Sequence, residues 1–310
     1  MKKVLLLGIK VKLLPVYYYF INLGYKVIPM KMGDSHENDS EILEKICVEE
    51  DDWSLVFDAD IVVNFKEQEE YLLLERAISD SFLTDDLIYF FSSKSEQDKI
   101  FKQLDIPTVP NISDTVIVKT DWSGGTGFKI KQRDEVKKGF VQDYLEIDYI
   151  ISCHFYADKN KWYHLNNHII KYIGNCPTRS VTPYVLLDSD KTIIEKSIDS
   201  LSKKINIENK LFGWQFLKDQ SGNLYSIDFN LRPFGGFDKG SYDTDVSDQN
   251  WISYIDGVVP PNNIKYTHSI QCIYKDMQQF GYAPWDRIKT ELTNPIQFEV
   301  KKYDNILVPI

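Results

Sequence analysis

The stretch from Leu211 to Pro233 constrains the fold most. Leu211–Leu217 and Leu224–Asn230 each read as a strand, and Asp219-Gln220-Ser221-Gly222 between them is a turn. Gln215 lies on the first strand and Asp228 on the second. Side chains alternate across a strand, so Asp228, Asn230 and, if the strand continues, Arg232 share one sheet face. An acid, an amide and a guanidinium are costly to bury together without a partner. A hard cation such as Mg²⁺, held by oxygen ligands while it bridges phosphates, is a natural one. A structural Asp–Arg pair at the hairpin end is the alternative.

The rest of the chain limits what can surround that hairpin. At 310 residues it is long enough for two or three domains. With 43% hydrophobic and 26% charged residues, wholesale disorder is excluded. The apolar runs Val4–Gly8, Leu13–Ile21 and Phe82–Phe91 fall short of the roughly 20 residues of a membrane span. The net charge of -10 and the lack of an Arg/Lys stripe argue against nucleic acid as a partner. Cys47, Cys153, Cys176 and Cys272 form no CxxC pair, which points away from disulfide and zinc frameworks and toward a reducing cytoplasm. His164 and His168 are expected on one strand face, in a structural or surface role.

Residues 1–90 read as α/β. Val4–Leu7, Tyr25–Pro29, Leu55–Phe57 and Ile61–Phe65 are strand candidates. Leu13–Leu23, stopped by Gly24, and Glu67–Ile78 are helix candidates, and together they imply a parallel, doubly wound sheet. The turn Gly8-Ile9-Lys10-Val11-Lys12 lacks the G-x-G-x-x-G spacing of a dinucleotide site. Beyond residue 92, Ser93 caps a helix over 94–104, and strands follow at 115–119, 128–131, 139–145, 148–157 and 162–173. An amphipathic helix covers 190–204, residues 246–255 look helical, and strand-like pieces lie near 268–275, 296–301 and 304–309. The expected division is 1–91, 92–145 and 146–310.

Between the strands at 115–119 and 128–131 lies Ser123-Gly124-Gly125-Thr126-Gly127. Its glycines let backbone approach a ligand, and successive amides can face an anion. Lys119 ends the preceding strand, a point charge suited to phosphate. No G-K-[ST] follows, so this is not a Walker loop. A plain glycine turn is the alternative.

In this order, Ser93–Pro107, Val116–Lys119 with the glycine loop, Phe140-Val-Gln-Asp-Tyr-Leu145, and Gly213-Trp-Gln-Phe through Ser226-Ile-Asp-Phe-Asn-Leu-Arg-Pro233 resemble the ATP-grasp superfamily. The resemblance is to its carboxylate–amine ligases, in the carbamoyl-phosphate-synthetase-like and small amino-acid-ligase branches. It implies an ATP-grasp fold preceded by a Rossmann-like α/β domain. Lys94 and Lys119 would contact the nucleotide phosphates, and the 123–127 loop would close over them. Gln142, Asp143 and Leu145 would lie on the strand that holds adenine, and Asp148 would meet the ribose. Gln215, Asp228 and Asn230 would hold Mg²⁺, with Arg232 steadying the transferred phosphate.

Departures from the family pattern stand at three places. Gln215 and Asp228 occupy positions where many members carry Glu, although Gln occurs in the carbamoyl-phosphate-synthetase-like branch. Ile147 replaces the glycine that usually precedes the ribose acid, and the segment between Lys119 and the hinge is short.

The implied activity joins a small carboxylic or amino acid to an amine through an acyl phosphate, with release of ADP and phosphate. Arg179, expected in a loop, and Gly235, Gly236 and Asp238 are candidates for substrate contact. The implied partners are small molecules, with a homodimer as a further expectation. The alternatives are a nucleotide-binding protein without ligase activity and an enzyme that works through carboxyphosphate.

Overall fold

The computed structural model describes residues 1–8, 17, 20–30, 46, 57–65, 69–78, 82–119, 121, 128–158, 161–173, 176–182, 184–208, 210–232, 265–273 and 299–307. The glycine loop, the 233–245 stretch with Gly235, Gly236 and Asp238, and the expected helix at 246–255 lie outside them. Two compact units divide the chain, with a boundary between Ser92 and Ser93.

The first unit holds a three-stranded parallel sheet. Its strands are β1 (Lys3–Leu7), β2 (Lys26–Met30) and β3 (Ile61–Asn64), in the order β2-β1-β3. Val4–Leu7 are fully buried, as a central strand covered on both faces requires. Gly24 follows a helical turn with φ +82°, the left-handed conformation that lets its N–H return to the Ile21 carbonyl and end the helix. Helices α1 (Glu69–Ile78) and α2 (Asp85–Ser92) are also among the described residues of this unit. Phe57, expected at the end of a strand, instead lies in an exposed turn.

The second unit contains two sheets. The smaller has β4 (Thr115–Lys119) between β5 (Phe128–Gln132) and β6 (Phe140–Asp143), all antiparallel. The larger has seven strands in the order β11-β10-β7-β8-β9-β12-β13. These are β7 (Ile147–Asp158), β8 (Lys161–Ile173), β9 (Cys176–Thr182), β10 (Lys210–Asp219), β11 (Leu224–Asn230), β12 (Lys265–Ile273) and β13 (Glu299–Leu307). Helices α3 (Lys94–Gln103) and α4 (Asp188–Ser202) belong to this unit. Among the described residues no helix is long and apolar enough to cross a membrane.

Register assigns the two faces of the large sheet. Gln215 faces Asp228 across β10–β11 and Ser152 across β10–β7, and Ser152 faces His168 across β7–β8. These four residues form one row on one face. Trp214, Phe229 and Phe155 have the opposite parity, and they build the aromatic core. Trp214 stacks on Phe101 of α3 at 5.4 Å and meets Phe229 edge-on at 5.2 Å. On that same face Asp190, buried in the first turn of α4, is paired to Lys218 and accepts a hydrogen bond from the Tyr149 hydroxyl at 2.9 Å. Burial and that carboxylate push the Tyr149 hydroxyl pKa up, so it stays protonated.

A bulge corrects the histidine expectation. The β7–β8 register shifts between His154 and Phe155, so His164 faces Phe155, while His168 faces Ser152. The extra residue reverses the parity, and His164 and His168 take opposite faces. His164 stacks on Phe155 and bonds Asn167 at 2.7 Å.

Strand β11 is an edge, and its outward backbone groups are closed by side chain and loop rather than by another strand. The Gln97 amide donates to the Phe229 carbonyl at 2.7 Å and accepts from the Phe229 N–H at 3.1 Å. The Ser226 N–H donates to the Pro107 carbonyl at 2.7 Å. Gln97 is buried, so Gln97→Leu strands two backbone groups out of water's reach. At about 1–3 kcal/mol for each unsatisfied group, the variant is expected to lose roughly 2–6 kcal/mol. A urea titration should show a lower midpoint with an unchanged slope.

Candidate active site

Three separate chain segments bring charge to one corner of the second unit. Lys94 opens α3, where a cation opposes the helix dipole and leaves that end strongly electropositive. Lys119 ends β4, and Asp228 sits near the end of β11. Lys94 Nζ donates to Asp228 Oδ1 at 3.0 Å, and Asn230 Nδ2 donates to Asp228 Oδ2 at 2.9 Å. Lys119 Nζ donates to Gln142 Oε1 at 3.1 Å, a diagonal contact between β4 and β6.

The ionisation of these groups reflects their convergence. Burial lowers the Lys119 ammonium from 10.5 to about 8; the like charge of Lys94 adds to this and Asp228 opposes it. Burial alone would raise the Asp228 carboxyl. The charge and hydrogen bond of Lys94, the Asn230 amide and the charge of Lys119 outweigh it and hold Asp228 below its usual range. The carboxylate therefore stays ionised between two cations.

Asp121 ties the two lysine segments together, a role the sequence reading missed. Its carboxylate accepts from the Ser95 N–H and the Ser95 hydroxyl, both at 2.7 Å, at the start of α3. Its carbonyl accepts from the Lys94 N–H at 3.1 Å. Ser93, the helix cap, accepts from the Glu96 N–H. The contact spans 26 residues, and no local motif in the sequence signals it.

At the hinge, Asp143 is a buried brace. Its Oδ1 accepts from the Ile112 N–H at 2.8 Å, the Ser113 N–H at 2.7 Å and Arg133 Nη2 at 3.1 Å. Its own N–H donates to the Pro110 carbonyl at 2.9 Å. The side chain and N–H thus hold the 110–113 segment. Leu145 is half-buried just beyond β6.

Of the other candidates, Asp148 is exposed and is the extra residue of a bulge in β7, where Lys218 faces Tyr149 and Asp219 faces Ile147. Leu217, two residues beyond Gln215 on β10 and so on its face, is buried, an apolar residue that the sequence reading did not single out. Gln215 Nε2 donates to Ser152 Oγ at 3.0 Å. Arg232 is half-buried two residues past the end of β11. Arg179 departs from expectation: it lies on β9, not in a loop, opposite Lys171 and Ile273. The apparent loop residues Cys176–Thr182 pair because β8 and β12 flank them on both sides, a non-local arrangement invisible in the local sequence.

Among the described residues no three His, Cys, Asp or Glu side chains gather as a metal cluster. The oxygen donors at the corner are one carboxylate and two amides. One or two carboxylates plus substrate phosphates suit Mg²⁺, and Asp228 is kept ionised, so the set fits that ion.

No family model matches the chain, and no curated protein matches it. Solved structures do. N5-carboxyaminoimidazole synthetase from Staphylococcus aureus aligns with TM-score 0.66 at 14% identity, covering 94% of this chain and 86% of that one. L-amino acid ligase from Bacillus licheniformis gives 0.67 at 14%, covering 88% and 79%. The biotin carboxylase domain of the Hydrogenobacter thermophilus 2-oxoglutarate carboxylase, solved with MgADP and bicarbonate, gives 0.68 at 17%, covering 91% and 77%. With its two antiparallel sheets and the α3–β4–β11 corner arranged as described, this chain has the ATP-grasp fold.

Proposed function

We propose that the chain is an ATP-dependent carboxylate–amine ligase. One observation carries this reading: Lys94, Lys119 and Asp228, from three segments, interact with one another at a single corner. Two cations beside one ionised carboxylate suit a Mg²⁺-bound triphosphate. The L-amino acid ligase of the same fold supports the reaction class.

In this reading Lys94 and Lys119 bind phosphate oxygens. The backbone carbonyl of Asp143 and the N–H of Leu145 read the adenine edge, Leu217 packs against the ring, and Asp148 meets the ribose. Gln215, Asp228 and Asn230 would hold Mg²⁺, whose charge would offset that of the phosphates. The 123–127 loop covers the phosphates, and Arg232 steadies the group in transfer. The donor carboxylate attacks the terminal phosphorus and ADP leaves. The amine then attacks the acyl carbon and expels phosphate, forming the amide. Such chemistry asks the protein for positioning and charge stabilisation rather than a covalent nucleophile.

The test is ADP release by the full chain with Mg²⁺, against a panel of carboxylic acids and amino acids with amines, and a separate bicarbonate arm. ADP release that requires both a carboxylate and an amine supports the ligase. Release that depends on bicarbonate alone moves the reading to carboxyphosphate chemistry. Nucleotide binding without any ADP release overturns catalysis.

A further inference from the structure

A glutamine is an asymmetric ligand. Its carbonyl oxygen can face a cation, but its NH₂ group cannot, and the terminal torsion that exchanges them has two broad minima. A glutamate at the same position has no such choice. In this structure the NH₂ end is the one engaged by a neighbour. Gln215 Nε2 donates to Ser152 Oγ at 3.0 Å, from the neighbouring strand β7. Gln215 lies between Ser152 on one side and Asp228 on the other, in one cross-strand row. Committing the nitrogen to Ser152 leaves Oε1 as the end of the amide that can face a cation. Ser152 is 1% exposed, so water does not stand in for its oxygen.

We infer that Ser152 is a positioning residue for the divalent cation, selecting the ligating end of the Gln215 amide. The inference rests on the reading of Gln215 as a cation ligand and adds to it a residue outside the ligand set. The hydroxyl matters only because position 215 is an amide, so its removal has a conditional effect. Ser152→Ala should weaken the cation in the natural background and do little where Gln215→Glu has made the ligand symmetric.

The experiment measures Mn²⁺ affinity by calorimetry and by water-proton relaxation, with a non-hydrolysable ATP analogue present. The full-length chain, Ser152→Ala, Gln215→Glu and the double variant are compared. Losing a partner that orients a metal ligand typically costs 10- to 100-fold in affinity. Ser152→Ala is expected to weaken Mn²⁺ about tenfold or more, and the same change on top of Gln215→Glu by less than about twofold. Equal losses in both backgrounds would assign Ser152 to general packing and overturn the inference, as would no loss in either. If the unmodified chain binds the analogue but no Mn²⁺, the cation reading itself fails, and this shows before any variant is made. Should the alanine variant not fold, Ser152→Cys keeps the volume with a poorer acceptor and carries the same comparison. The Gln215 side-chain NH₂ signals in ¹⁵N spectra give a readout independent of metal: slow exchange is expected, and Ser152→Ala should abolish it.

Discussion

Asp228→Asn is expected to cut ADP release by about 10²- to 10³-fold while the protein stays folded. The substitution keeps the shape of the side chain and leaves an oxygen to accept from Lys94 or Asn230, but it removes the negative charge. Lys94 and Lys119 then face each other without the carboxylate that separates them electrostatically. Lys119, already near 8, should titrate lower still, because the one group that raises its pKa is gone. Asp228→Ala should reduce turnover at least as far. Comparing the two separates charge from shape, with circular dichroism and a denaturant midpoint as controls on folding. Asp228→Asn retaining more than about a tenth of the natural activity would remove the carboxylate from the mechanism.

Lys119 gives the second large effect, expressed in pH. In the free protein its ammonium loses its proton near pH 8, well below 10.5. A bound triphosphate adds negative charge and favours the protonated form, so nucleotide binding above about pH 8 draws one proton from solution. Nucleotide affinity should then fall about tenfold per pH unit above that point, until the bound ammonium itself loses its proton. Calorimetry in two buffers of different ionisation enthalpy reads the proton directly. Lys119→Ala should abolish both the uptake and turnover; Lys119→Arg, which stays charged, should flatten the pH dependence. Stability runs the other way. Between about pH 8 and 10.5 the unfolded chain binds more protons at this residue than the folded one, so the free protein gains stability as pH rises across that window. Lys119→Ala should lose that gain. A pH-independent affinity between 7 and 10 would place Lys119 away from the phosphates.

Much of this corner was legible before the structure, because its signals are local. Period-two spacing gave Asp228 and Asn230 a common face, and the hairpin turn set β10 against β11, which the register confirms with Gln215 opposite Asp228. The Ser93 cap and the Lys119 strand end were equally local, and both stand as expected. What failed was non-local. Strand β9 is held by neighbours on both sides and carries no strong periodicity of its own, so the sequence around Arg179 reads locally as a loop. The β8 bulge inserts one residue between His164 and His168 and defeats simple parity counting. Asp121 caps a helix 26 residues before it, and no motif links the two positions. The 304–309 piece falls largely within a longer strand, β13, that begins at Glu299.

The Gln97 clasp on Phe229 also bears on energetics. Asp228 precedes Phe229 in the chain, and Lys94 lies one helical turn before Gln97, so the clasp fixes the strand and the helix that carry this ion pair. The work of assembling the corner is therefore done during folding and need not be drawn from ligand contacts. Association with a triphosphate should accordingly leave the backbone of these two elements where it stands, and the ordering entropy paid on binding should fall on other segments of the chain.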